Sequence, residues 1–123
     1  YRRHQMKYIP TKNMFQIWNN PEERKKFEDA AHDEAKENFI AELKEEGYKS
    51  VEEYKAYLRG YSSADLFHDL LEYREERDRE DDLSNHPDIS PEQSFRHMVS
   101  CFEHIINIDI HNDIIEQLDR LGK

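Results

Sequence analysis

His97, Cys101 and His104 lie four and three residues apart, and His111 follows seven residues later. On a helix these spacings place neighbouring side chains along one face. Imidazole and thiolate are the ligands that zinc prefers, which makes this stripe the first candidate for chemistry. One helix seldom surrounds a tetrahedral ion with three of its own side chains. The stripe also lies roughly opposite the apolar residues of its segment. The simpler expectation is a polar face with Cys101 at its edge.

A second candidate is Asp65-Leu66-Phe67-His68-Asp69-Leu70. It resembles the central motif of the HD-superfamily phosphohydrolases, in which apolar residues precede a metal-binding His-Asp pair. The resemblance implies a metal on His68 and Asp69. An upstream histidine (His32) and a downstream aspartate (Asp109 or Asp113) would complete it, and the metal would activate a water toward a phosphoester. Leu70-Leu71-Glu72 stand where the family carries a small residue and a glycine. His68 also falls off the centre of the Leu66/Leu70/Leu71 stripe. His68-x-x-x-Glu72 and His104-x-x-x-x-Asp109 resemble two of the four helix motifs of hemerythrin-like di-iron bundles. In that family the third helix carries a His-x-x-x-His pair. Here His97 and Cys101 hold that register on the same helix as His104.

Acidic pairs such as Glu45/Glu46, Glu52/Glu53, Glu75/Glu76 and Asp81/Asp82 sit among charged neighbours. Paired acids do acid–base work only where burial separates their pKa values, so these read as solvated surface. There is no glycine-rich phosphate loop, no G-x-S-x-G and no C-x-x-C. No cofactor is expected. Lys12–Asn19, followed by Glu23–Phe27, is similar to the entrance of the PHIST helical domain of exported malaria-parasite proteins, which implies a protein-binding bundle. Trp18 is the one tryptophan here, and the later tryptophans of that family are missing.

Charge narrows the partners. The chain carries 28 acidic and 18 basic side chains, for a net charge of −10. Residues 1–20 hold Arg2, Arg3, Lys7 and Lys12 and no acid, so they read as a basic N-terminal arm with a short helix over Thr11–Asn19. Residues 21–123 form the acidic domain, with the densest acid in Asp65–Glu92. Such a body repels nucleic acid and anionic lipid and suits a basic protein partner. No stretch approaches the roughly 18 apolar residues of a membrane span. The lone cysteine gives no intrachain disulfide, and an intracellular, cytoplasmic setting is expected. The first residue, Tyr1, suggests a processed chain or a piece of a longer one.

The elements that position these residues are marked by caps. Asn20-Pro21-Glu22-Glu23 starts a helix that runs to Glu46 and stops at Gly47. Its Ala30, Ala31 and Ala35 predict close approach of another helix. Ser50-Val51-Glu52-Glu53 reads as a capping box before Val51, Tyr54, Leu58 and Tyr61. Ser62 or Ser63 opens a third long helix whose far end, almost without apolar residues, is expected to project or fray. Ser90-Pro91-Glu92-Gln93 opens the last helix. Phe95, Met98, Val99, Phe102, Ile105 and Ile106 share one face of it. Ile108-Asp109-Ile110 breaks the period and predicts a bend or a restart.

The sequence therefore predicts an all-α bundle of four to five helices. The expected core is Phe27, Phe39, Leu43, Leu58, Leu66, Phe67, Leu70, Phe95, Met98, Phe102, Ile105 and Ile106. The expected function is non-catalytic protein binding. The acidic face would be Glu72, Glu75, Glu76, Asp78, Glu80, Asp81 and Asp82, helped by exposed Tyr54, Tyr57, Tyr61 and Tyr73. A sharper form is an inhibitor that mimics nucleic acid and blocks a nuclease or other nucleic-acid-binding protein, as anti-restriction and anti-CRISPR proteins do. The alternatives are the metal-dependent phosphohydrolase and a structural subunit of a larger assembly.

Overall fold

The computed structural model describes residues 8–122, and these are all-α. Five helices follow in order: α1 (Met14–Trp18), α2 (Pro21–Glu45), α3 (Val51–Leu58), α4 (Ser63–Ser84) and α5 (Pro91–Arg120). Arg2, Arg3 and Lys7 of the expected arm lie outside the described residues. Lys12 donates to Glu23 at 3.0 Å and so ties the segment before α1 to α2.

The caps form where the sequence marks them. Asn20 Oδ1 accepts from the amides of Glu22 and Glu23 at 3.0 and 3.3 Å. Ser62 Oγ accepts from Asp65, and Ser90 with Gln93 completes a reciprocal capping box. At Ser50 only the forward half of the expected box forms, with Oγ accepting from Glu53. After α2 the chain turns at Gly47, whose φ of 101° suits glycine. The Gly47 amide donates to Lys44, and the Tyr48 amide to Leu43 at 2.9 Å. This pairing satisfies the last carbonyls and folds Tyr48 back on the bundle.

α5 is the central helix, with α4 and α2 packed along it and α3 beside its C-terminal half. Phe27, Ala31 and Ala35 of α2 meet Phe95, Met98 and Val99 of α5 in one core, which also takes Ile17 of α1. Phe39 and Leu43 join Tyr54, Leu58, Leu66, Ile110, Ile114 and Leu118 in a second core. The order of these contacts makes α2 parallel and α4 antiparallel to α5. Ala31 and Ala35 are fully buried, as the close approach requires.

Several expectations need correction. α5 runs unbroken through Ile108–Ile110. A helix with neighbours on several sides carries no single apolar stripe, so Ile108, Ile110 and His111 are all buried. Phe67 is 48% exposed rather than core. Leu66 and Leu70 take the inward face of α4, and Phe67 lies one residue, about 100°, further round. Phe102, Ile105 and Ile106 are only half-buried.

The end of α4 is docked rather than frayed. Ser84 is buried, and Ser94 Oγ donates to its carbonyl at 2.6 Å. His97 Nδ1 donates to Glu80 Oε2 at 2.6 Å one turn earlier. Polar contacts hold this end where apolar residues are missing.

Candidate functional site

The stripe of His97, Cys101 and His104 lies toward α4, with Cys101 buried and the two histidines half-buried. His97 is committed to Glu80. Cys101, expected at the edge of a polar face, is 5% exposed. Burial, with Asp81 nearby, pushes its thiol up to about 11. A thiol so rarely ionised is a poor nucleophile and a poor ligand. Alkylation by iodoacetamide near neutral pH should therefore be slow in the folded chain and fast in urea. Equal rates in the two states would contradict the buried placement.

His104 is half-buried. Burial lowers its pKa even though Glu76, Glu80 and Glu42 favour the charged form. His68 and Asp69 are exposed on α4, as are Glu72 of the di-iron pattern and Asp109 of α5. His32 lies elsewhere, stacked on Phe102 with ring centroids 3.7 Å apart. Phe102 and the Ile114–Leu118 segment that packs on Leu66 are separated by about 18–24 Å along α5. The residues nominated for a phosphohydrolase centre are therefore not brought together. Among the described residues, no group of three His, Cys, Asp or Glu side chains could hold a metal ion.

The acid of α4 is distributed around the helix. Glu72, Glu75, Asp78, Asp81 and Asp82 are exposed, while Glu76 and Glu80 are half-buried. Arg79 pairs with Glu76, and Arg77 with Asp78 at 3.0 Å. Such exposed pairs add little stability, about 0–1 kcal/mol each. They do absorb two of the three arginines of α4 into the helix's own acid.

The tyrosines divide differently from expectation. Tyr54 is 8% exposed, and its hydroxyl donates to Asn107 Oδ1 at 2.8 Å. Burial raises its phenol well above the ordinary value. It is a core residue, with no free face to offer. Tyr57 and Tyr61 are exposed, with their hydroxyls hydrogen-bonded to each other. Tyr73 is half-buried, edge-on to His111 at 5.0 Å. Sequence reasoning missed Tyr48, which packs against Tyr54 and Tyr57 at 5.2 and 5.6 Å. Its signal was its place just after Gly47, where an apolar residue commonly folds back on the helix end.

Two clefts flank α5. One, of about 530 Å³, opens between the start of α2 and the end of α4. Trp18, Arg24, His32, Asp81, Met98 and Phe102 are among its walls. The other, of about 280 Å³, gathers residues from four helices. Phe39, Glu42 and Leu43 come from α2, Glu46 from the cap just after it, Tyr54 from α3 and Tyr73 from α4. Ser100, Glu103, His104 and Asn107 come from α5. No helix of the described residues is long and apolar enough to cross a membrane. No protein-family model matches the chain, and no curated protein or solved structure matches it either.

Proposed function

We propose that this chain is a non-catalytic helical interaction domain that engages a partner with a basic surface through α4. One observation carries the reading. α4 is backed chiefly by α5, and it exposes seven acids (Asp65, Asp69, Glu72, Glu75, Asp78, Asp81 and Asp82) against three arginines in the whole helix, two of them self-paired. A surface of one sign attracts the opposite sign and speeds its encounter. In the sharper form of the proposal the partner is a nuclease or another nucleic-acid-binding protein, and α4 occupies its phosphate-binding channel.

The test is capture of a partner by the immobilised chain at low and high salt. It is run beside a variant with Glu75→Lys, Asp78→Lys, Asp81→Lys and Asp82→Lys. Capture in stoichiometric amount, lost at high salt and lost in the variant, is the expected result. Displacement of that partner by duplex DNA would support the sharper form. Capture that is indifferent to both salt and charge reversal would sink the proposal.

A further inference from the structure

We propose that the outward stripe of α4 seats an amphipathic basic helix of the partner, with Phe67 and Leu71 as its apolar anchor. This rests on the proposed basic partner and names the segment that it presents.

The stripe follows from helical geometry. At about 100° per residue, Phe67, Leu71, Glu75, Asp78 and Asp82 fall within about 80° of one another. All five are exposed, and exposed Ala64 extends the stripe by a turn. Arg74, half-buried, lies at its edge. From Phe67 to Asp82 the stripe runs about 22 Å. α5, the chief neighbour of α4, takes the other side of the helix, where Ser84 and Glu80 bond to Ser94 and His97.

The anchor is the first observation. Phe67 and Leu71 are 48% and 43% exposed and stand one turn apart. Single apolar residues are common on any surface, but a neighbouring phenylalanine and leucine on one helix face form a patch suited to contact. Aromatic rings are enriched at the dry centre of interfaces.

Charge on the same stripe selects the occupant. Glu75, Asp78 and Asp82 follow Leu71 by one, two and three turns. Asp78 pairs with its neighbour Arg77, while Glu75 and Asp82 make no ion pair among the described residues. An apolar patch alone would accept many partners. Carboxylates in line with it require cations beyond the apolar contact. A second copy of this chain would set the acids of α4 against themselves, and nucleic acid or anionic lipid would be repelled in the same way.

Spacing selects the shape. Ala64, Phe67, Leu71, Glu75, Asp78 and Asp82 advance by three and four residues. These steps trace the seam along which two helices pack side by side. A helix with apolar residues at one end of a face and lysines or arginines along the rest matches that seam. Apolar anchors on one helical face are a recurrent mode of peptide recognition.

The direct test uses a peptide of about 18 residues, long enough to span the stripe. It carries leucines at one end of a single helical face and lysines along the rest, and is prepared in both chain orders. One control replaces the leucines with alanine at unchanged charge. Another has the same composition scrambled so that no face is apolar. NMR titration of the labelled chain should give saturable shifts at Phe67, Leu71, Glu75, Asp78 and Asp82. The alanine control should bind at least tenfold more weakly. Phe67→Ala with Leu71→Ala should weaken the leucine peptide to the same degree, with the helical circular dichroism retained. Equal binding of the control peptides, or shifts confined to the acids, would overturn the seat. So would failure of both chain orders to bind. Self-association in sedimentation that the double variant abolishes would give the face to a second copy and overturn it too. Partner capture separates the two proposals. If charge reversal abolishes capture while the double alanine variant leaves it intact, the anchored seat falls and the acidic surface stands. If neither alters capture, the acidic surface falls as well.

Discussion

Phe27→Ala should lose about 3–5 kcal/mol of stability, the range for truncating a buried phenylalanine. Phe27 has no exposed surface. Its ring lies 5.4 Å from Phe95 and 5.7 Å from Trp18, and 6.1 Å from Tyr8, all near edge-to-face. One side chain thus joins α2 to α5, to α1 and to the segment before α1. Edge-to-face pairs add about 0.5–1.5 kcal/mol beyond the area they bury, so the upper half of the range is expected. Domains of this size are stable by about 5–15 kcal/mol, so the loss is at least about a quarter of the whole. Urea unfolding should show a large fall in midpoint with little change in slope. Phe67→Ala is the control. At 48% exposed, that ring should cost no more than about 0.5 kcal/mol. If Phe67 proved the costlier of the two, α4 would have to be rotated by one residue from the position described.

The starts of the helices were legible because their signals are local. Asn20, Ser50, Ser62 and Ser90 each bond an amide two or three residues ahead, and no distant residue decides the outcome. The alanines of α2 were legible for a related reason, since a missing side chain implies a close neighbour. What the sequence concealed depends on tertiary partners. The docking of α4 on α5 uses Ser84–Ser94 and Glu80–His97, residue types that usually signal surface. Tyr54 reads as a surface aromatic until Asn107, 53 positions away, satisfies its hydroxyl inside the core. Cys101 and His111 are buried because α5 is surrounded, and a stripe drawn for one neighbour cannot show that. The acid of α4 was visible as composition. The cleft was not, because Glu46, Tyr54, Tyr73 and His104 meet only after four helices pack.

Acid should destabilise the fold through two of its histidines. His111 is 1% exposed, enclosed by Tyr54 of α3 and Tyr73 of α4, and it donates from Nδ1 to the Asn107 carbonyl at 2.9 Å. Burial holds its pKa below the ordinary value, against the smaller opposite effects of that hydrogen bond and of Asp69. His104 is lowered by burial in the same way. In the unfolded chain both titrate near about 6.5. As pH falls below that value, the unfolded state takes up protons that the folded state refuses until its own lower pKa is reached. Stability is therefore full at neutral pH and declines through the window beneath about pH 6.5. Each histidine contributes a slope of at most about 1.4 kcal/mol per pH unit, so the pair gives up to about 3 kcal/mol per unit. Ordinary carboxylates titrate near about pH 4, so relief of acidic repulsion does not mask the effect in that window. Urea midpoints taken from about pH 7.5 to 5.5 should fall on acidification, and His111→Leu should remove roughly half of the slope. The Asn107 carbonyl remains capped by the helix amide in that variant, so the change isolates the imidazole. A wild-type chain that gained stability on acidification would contradict the burial of His111 and His104 in neutral form.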